Sequence, residues 1–291
     1  MACERRWGRD VGGLSVAALR DDTVPASGVW TRALTAAVSV PAFVWVVTRA
    51  PWWVFDALIL GLAGAASWEL GRIFERAGRP THRWLGVVTA VAVTAAFRAP
   101  GGPVPALAVA ILVVLSVPIW KGATPSAEPA TIGLLGLTYV SWLLGHGLLL
   151  RQLPDGPALV LFLVGVTWIG ESAAYLVGSA LGRHRLAPVI SPRKTVEGAV
   201  AQLLTSVVAS LALAPWLLPE WPPAAALGAG ALLGLVGQVG DLAESAIKRS
   251  VGAKDTGSLI PGHGGALDRL DSLLFNAPAL FYFATWTGLA R

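Results

Sequence analysis

Long apolar runs separated by short polar breaks occupy the chain from about residue 33 to its end, and this pattern sharply limits the folds open to it. The runs fall at about 33–48, 52–70, 84–97, 104–120, 131–150, 157–182, 199–218, 223–243 and 270–289. A helix needs about 20 residues to cross the hydrocarbon core of a bilayer. Most runs approach that length; 84–97 does not, and reads as a half-helix paired with 104–120. The pattern predicts an all-α, polytopic integral membrane protein of about nine transmembrane helices. Composition agrees, because only 13% of residues are charged where a soluble domain carries about 25%. Trp52, Trp53, Trp84, Trp120, Trp216 and Trp221 lie near run ends, where an interfacial aromatic belt places them. Residues 1–32 hold Arg5, Arg6, Arg9 and Arg20 around an apolar patch too short for a signal peptide, and read as a cytoplasmic tail. Residues 33–291 then form a single polytopic membrane domain, with N-terminal helices over 33–150 and a second set of helices over 157–291 that carries the charged motifs.

The sequence pI near 9.9 raises the question of nucleic acid. The positions of the charges argue against such a partner, because most of them flank apolar runs, as insertion orientation and anionic headgroups require. With the N-terminus inside, 18 of the 22 Lys and Arg residues fall on the cytoplasmic side and 4 on the other. That bias orients the chain by the positive-inside rule. Cys3 stands alone, so no internal disulfide forms. No internal repeat is evident, which counts against an inverted-repeat transporter. The chain has no GxGxxG, P-loop, HExxH or cysteine-pair motif, which disfavours a soluble nucleotide-binding domain.

Residues 244–271, ESAIKRSVGAKDTGSLIPGHGGALDRLD, concentrate the chemistry between two apolar runs. Lys248, Arg249, Lys254, His263 and Arg269 can hold phosphate, and Glu244, Asp255, Asp268 and Asp271 can hold a divalent cation. Asp241, Glu244 and Lys248 lie at i, i+3 and i+7 and share one helix face. A carboxylate at the end of an apolar helix is costly unless something binds it; a metal and a salt bridge to Lys248 or Arg249 are both solutions. Asp268 and Asp271 repeat the spacing at the start of the last run, after a Pro-Gly-His-Gly-Gly turn. Hard oxygen ligands of this kind suit Mg²⁺. His263 either contacts phosphate or shapes the turn.

A second cluster is RHRLAPVISPRKTVEG at 183–198. Ser191, Lys194, Thr195 and Glu197 flank a helix start, where backbone N–H groups and a lysine form an anion site. An ordinary basic loop is the rival. Glu171, four residues before Tyr175, is an intramembrane carboxylate and hence a functional candidate; pairing with His146 or with a serine of another helix is its rival. Glu69 is a weaker case, nearer a run end.

These residues resemble the signature of the CDP-diacylglycerol synthase family, the phosphatidate cytidylyltransferases. Ser245, Lys248-Arg249, Lys254-Asp255, Gly257, Pro261, His263-Gly264-Gly265, Asp268-Arg269 and Asp271 match it with the family's spacing throughout. LGRHRLAPVISPRKTVEG at 181–198, LLFNAPALFYF at 273–283 and WELGRIFERAG at 68–78 also resemble family segments, so the likeness covers roughly residues 30–290. Glu171 and Ala173 stand where the family has Asp and Gly, and Ala266 replaces a larger aliphatic residue. The resemblance implies condensation of phosphatidate with CTP to CDP-diacylglycerol and pyrophosphate, in a multi-pass inner-membrane homodimer whose active site faces the cytoplasm. It implies Mg²⁺ held by Asp241 and Asp268, catalytic roles for Lys248, Arg249, Lys254, Asp255, His263, Arg269 and Asp271, and substrate binding by Ser191, Lys194, Thr195, Glu197, Lys248 and Arg249. Related CTP-dependent enzymes on other lipids, such as a polyprenol kinase or an ether-lipid cytidylyltransferase, are the near alternatives; a transporter is the distant one.

Overall fold

The computed structural model describes residues 26–120, 126–257 and 264–289, and over these the chain is helical apart from one two-stranded hairpin. Helix α1 (Ala26–Thr48) starts inside the segment expected to be a tail. Helix α2 (Trp52–Arg76) begins after Pro51 and ends before Gly78, whose φ of 75° suits a residue without a Cβ. Helix α3 (Arg83–Ala95) has 13 residues and runs into a tight turn at Ala96–Arg98. At 1.5 Å per residue it reaches about 20 Å, short of a bilayer core, as its sequence led one to expect. Helix α4 covers Val104–Trp120. Helices α5 (Glu128–Leu135) and α6 (Leu143–Gln152) join through a π-helical segment, Gly136–Trp142, into one rod.

The second half builds the site. Helix α7 (Gly156–Leu181) leads into strands β1 (Arg185–Ala187) and β2 (Ser191–Thr195), which pair antiparallel. Thr195 then caps helix α8 (Val196–Leu217): its Oγ1 accepts a 3.2 Å hydrogen bond from the Gly198 N–H. Helix α9 (Pro223–Ser250) starts with proline at its first position, where no N–H is needed, and ends with Lys248 and Arg249 beside its negative dipole end. Helix α10 (Leu267–Trp286) closes the chain.

Among the described residues five helical stretches are long and apolar enough to cross a membrane: Trp52–Arg76, Glu128–Gln152, Gly156–Leu181, Val196–Leu217 and Pro223–Ser250. The sequence led one to expect about nine. Segments Ala37–Thr48 and Val104–Val117 are apolar but shorter, and α10 carries Asp268, Arg269 and Asp271 in its first turns. Outward positions are apolar, including Leu112, Leu204, Val208 and Leu235, as lipid contact demands. Inside, Phe55, Leu70, Leu148, Phe162, Leu233, Leu274 and Leu280 fill the core. Asn276 of α10 donates a buried 2.9 Å hydrogen bond to Thr167 of α7, a polar tie between apolar helices. Gly240 lets α10 approach α9 so closely that a Cβ there would lie 2.7 Å from the Asp271 carbonyl oxygen. That approach sets the register of the acidic residues on the two helices.

Candidate active site

Three segments far apart in sequence meet at one end of the bundle: the end of α2, the β1–β2 hairpin, and the junction between α9 and α10. The hairpin is fixed first. Glu197 accepts hydrogen bonds from the Arg183 N–H at 3.1 Å and the His184 N–H at 3.2 Å, and pairs with His184 Nδ1 at 2.6 Å. Its carboxylate is thereby spent on holding the loop. Arg249 reaches from α9 to the Ile190 carbonyl at 3.2 Å, and its Nη1 donates to the Ala253 carbonyl at 2.9 Å. These contacts aim Lys194 at α9, where it ion-pairs with Asp241.

The carboxylates of α9 and α10 come together across the close contact at Gly240. Asp241, Glu244 and Asp271 each present an oxygen, and these three atoms lie within 4.8 Å of one another. Carboxylates at this spacing repel by on the order of 3 kcal/mol per pair at an effective dielectric near 20. Cations must answer that charge. Lys194 meets Asp241 on one side, and Lys248 Nζ sits 2.5 Å from Glu244 Oε2 on the other. Glu244 is 1% exposed, and its Oε1 has no hydrogen-bond partner among the described residues. A buried carboxylate oxygen left without a donor is expensive, and a divalent cation is the partner this all-oxygen set fits.

Asp268 is held differently. Its Oδ1 receives Lys248 Nζ at 2.8 Å, and its Oδ2 accepts from the Thr256 N–H at 3.0 Å, Thr256 Oγ1 at 2.8 Å and the Gly265 N–H at 3.1 Å. Asp268 is not one of the three acids that converge within 4.8 Å; Lys248 bridges it to them. Behind it lies Glu69 of α2, 3% exposed, whose Oε2 accepts from the Leu267 N–H at 2.9 Å and lies 3.2 Å from Thr256 Oγ1. Thr256 has one hydroxyl proton, so it serves one of the two carboxylates at a time. Glu69 thus locks both the loop after α9 and the start of α10.

A cavity of about 600 Å³ opens beside the cluster, lined by Glu171, Arg185, Arg193, Lys194, Thr195 and Asp241 among others. Its size suits a small-molecule ligand. Glu171 faces Ser272, Asp241, Arg269 and Lys194. Of its two rival pairings, the one with His146 is not made, since His146 Nδ1 lies 2.8 Å from the Trp142 carbonyl and its Nε2 3.3 Å from Tyr282 Oη, whereas a serine of another helix, Ser272 of α10, does stand beside Glu171. Ser191 lies in the hairpin outside the cavity lining. Lys254 and Asp255 are exposed and line a different pocket. His263 lies outside the described residues. Two participants escape the sequence. Thr256 is an unremarked residue between Asp255 and Gly257. Tyr139, 6% exposed on the π-helical segment, packs its ring 6.3 Å from that of Phe275 of α10, feels the charge of Glu244 and Asp271, and its hydroxyl has no hydrogen-bond partner among the described residues.

Basic and acidic groups thus gather around one cavity at one end of a bundle whose helices include five long and apolar enough to cross a membrane. The chain belongs to the Cytidylyltransferase family, whose model matches residues 30–287. It is similar to the uncharacterized protein YnbB of Escherichia coli (strain K12), with 46% identity over 147 residues, 50% of this chain and 48% of that one. It is also similar to a protein of Staphylococcus aureus (strain COL) named phosphatidate cytidylyltransferase, with 37% identity over 168 residues, 58% of this chain and 64% of that one. A Synechocystis protein of the same name is 45% identical over 135 residues, 46% of this chain and 45% of that one. The matched segment spans between about half and just under two thirds of the length of these curated relatives.

Proposed function

We propose that this chain transfers the cytidylyl group of CTP to phosphatidate, giving CDP-diacylglycerol and pyrophosphate at the cytoplasmic face of the inner membrane. The observation that carries the reading is the pairing of Lys194 with Asp241 at the wall of the 600 Å³ cavity, with Glu244 and Asp271 immediately behind. Phosphate-binding and cation-binding groups are thereby adjacent, which phosphoryl transfer requires. Family membership and the names of the Staphylococcus and Synechocystis relatives supply the substrate class.

In this reading an oxygen of the phosphatidate phosphate forms a bond to the α-phosphorus of CTP. The bond from that phosphorus to the bridging oxygen breaks, and pyrophosphate leaves with its electron pair. The nucleophile is already anionic, so no strong base is needed. Positioning and electrostatic stabilisation supply most of the acceleration. Lys194 and Arg193 draw substrate phosphate into the cavity, and Lys248 holds the acidic residues of both helices in register. Asp241, Glu244 and Asp271 would hold Mg²⁺, which when bound neutralises charge on the transferring phosphates; Asp268 would join them if Lys248 turned to phosphate. The homodimeric assembly and the membrane roles of α1, α3, α4 and α10 belong to the same proposal.

The test uses the full chain purified in detergent, mixed with phosphatidate, labelled CTP and Mg²⁺. Labelled CDP-lipid that requires both phosphatidate and Mg²⁺ is expected. Product formed only from a polyprenol or an ether lipid would refute the assignment of the lipid substrate. Ion flux in proteoliposomes without CTP turnover would refute the enzyme reading altogether.

A further inference from the structure

A second pocket lies between the last turns of α2 and the loop after α9. It has a volume of about 490 Å³ and is lined by Arg72 and Arg76 of α2 and by Gly252, Lys254, Asp255 and Gly257 of the loop after α9. Arg72 and Arg76 are four residues apart and project from one face of the last turn of α2. The neighbouring cations of this end are neutralised: Arg83 meets Glu75 at 3.1 Å, and Arg79 lies 3.5 Å from Glu128. The side chains of Arg72, Arg76 and Lys254 have no ion-pair or hydrogen-bond partner among the described residues. Three cations against the single carboxylate of Asp255 leave a net positive concavity, and a walled concavity focuses that field.

The backbone around the pocket is held in place. Gly252 turns the chain at a φ of 67°, and Thr256 fastens the loop to Asp268 and Glu69. Guanidinium groups in a fixed concavity bind phosphate oxygens in preference to monovalent counter-ions, because their N–H forks match the oxygen geometry. The pocket is also separate from the acidic cavity. Lys194 and Asp241 line one, Arg72, Arg76 and Lys254 the other, and no residue is shared.

We infer that Arg72, Arg76 and Lys254 form a second anion site, which takes a multiply charged phosphate group independently of the acid-lined cavity. The phosphate reaches it either as a free polyanion or on an anionic lipid headgroup. Neither source depends on the reaction proposed above.

Inorganic pyrophosphate is titrated calorimetrically into the full chain in detergent, with EDTA present so that cation-dependent binding in the other cavity is absent. Arg76→Gln and the double variant Arg72→Gln/Arg76→Gln are compared with Lys194→Gln, and melting temperatures check folding. The expected result is a binding component that weakens about tenfold or more in the double variant, by a smaller factor in Arg76→Gln, and that persists in Lys194→Gln even where that variant loses binding in the acidic cavity. The titration is repeated in phosphatidylcholine nanodiscs with and without phosphatidylglycerol. Undiminished pyrophosphate binding in the anionic discs identifies a free polyanion as the ligand. Arg72- and Arg76-dependent competition by phosphatidylglycerol identifies the headgroup. The inference is overturned if neither pyrophosphate nor phosphatidylglycerol engages the chain in an Arg72- and Arg76-dependent way. CDP-lipid synthesis is assayed separately, so failure of that activity leaves this result readable.

Discussion

Asp241, Glu244 and Asp271 converge while Lys248 bridges Glu244 to Asp268, and this arrangement separates two ways of reading four acids. If the first three hold a common cation, Asp241→Asn and Asp271→Asn each lower Mg²⁺-dependent turnover about a hundredfold or more. The double variant falls little further, since either change removes the same ion. Stability is kept or rises, because each substitution removes one member of a repelling set. Asp268→Asn differs: the amide keeps one acceptor oxygen where the carboxylate uses two, so either Lys248 or the Thr256 and Gly265 N–H groups lose their acceptor, and the melting temperature falls as well as activity. Turnover and melting curves on the three singles and the double decide, and additive activity losses at Asp241 and Asp271 would sink the shared cation. Lys194→Ala belongs to the same scale. Loss of one charge-assisted contact to phosphate costs about 1.5–3 kcal/mol in transition-state stabilisation. Wild-type turnover in that variant would return the 183–198 segment to an ordinary basic loop.

Between residues and fold, the close approach at Gly240 is what makes the cluster. A Cβ on Gly240 would meet the Asp271 carbonyl oxygen at 2.7 Å and Phe275 Cβ at 3.0 Å, so Gly240→Ala must push α10 away from α9. The expected outcome is a loss of turnover of about a hundredfold from a displacement near 1 Å, with the protein still inserted and helical by circular dichroism. Unchanged turnover would mean that the helix register does not set the site. This contact also marks where sequence reading stops. Apolar run lengths gave α7 and α8 nearly to their ends but stopped about two turns short of the ends of α2 and α9, whose last turns are charged, and the short 84–97 run was legible as a short helix because length alone decides it. The i, i+3 spacing put Asp241 with Glu244, and Asp268 with Asp271. Which acid of α10 faces α9 depends on a rotation of about 100° per residue, and periodicity within one helix does not carry the phase of its neighbour. Tyr139 was hidden for a related reason. A π-helical turn inserts a residue and shifts the phase, so its side chain is buried against Phe275 of α10 from a run that reads as uniform lipid-facing helix. The hairpin at 185–195 was hidden by its shortness and by Pro192, which reads as loop.

Across the whole molecule, charge is segregated along the bundle axis. Helix α2 has 25 residues and so runs about 37 Å, enough to cross a bilayer core of about 30 Å with its ends in the headgroups. At its first end Asp56 holds Arg98 through two 2.7 Å hydrogen bonds. At its other end stand Arg72 and Arg76, together with Arg79, Arg83 and the groups of the candidate site. By the positive-inside rule the proposed orientation puts the second end in the cytoplasm, where cytosolic CTP would have direct access to the 600 Å³ cavity. Cys3 is the only cysteine, so Cys3→Ser gives a silent background. On it, Arg79→Cys and Ser250→Cys place a thiol at exposed positions of the site end, and Arg49→Cys places one beyond the end of α1. Ser250 is a better probe than Gly252, whose φ of 67° would strain any side chain. In intact cells an impermeant maleimide should label Arg49→Cys and leave the other two untouched until the membrane is opened by detergent. Labelling of Arg79→Cys and Ser250→Cys from outside, with Arg49→Cys protected, would invert the molecule and remove its access to cytosolic CTP. The reaction would then need a nucleotide source on the far side, and the proposed function would fall with the orientation.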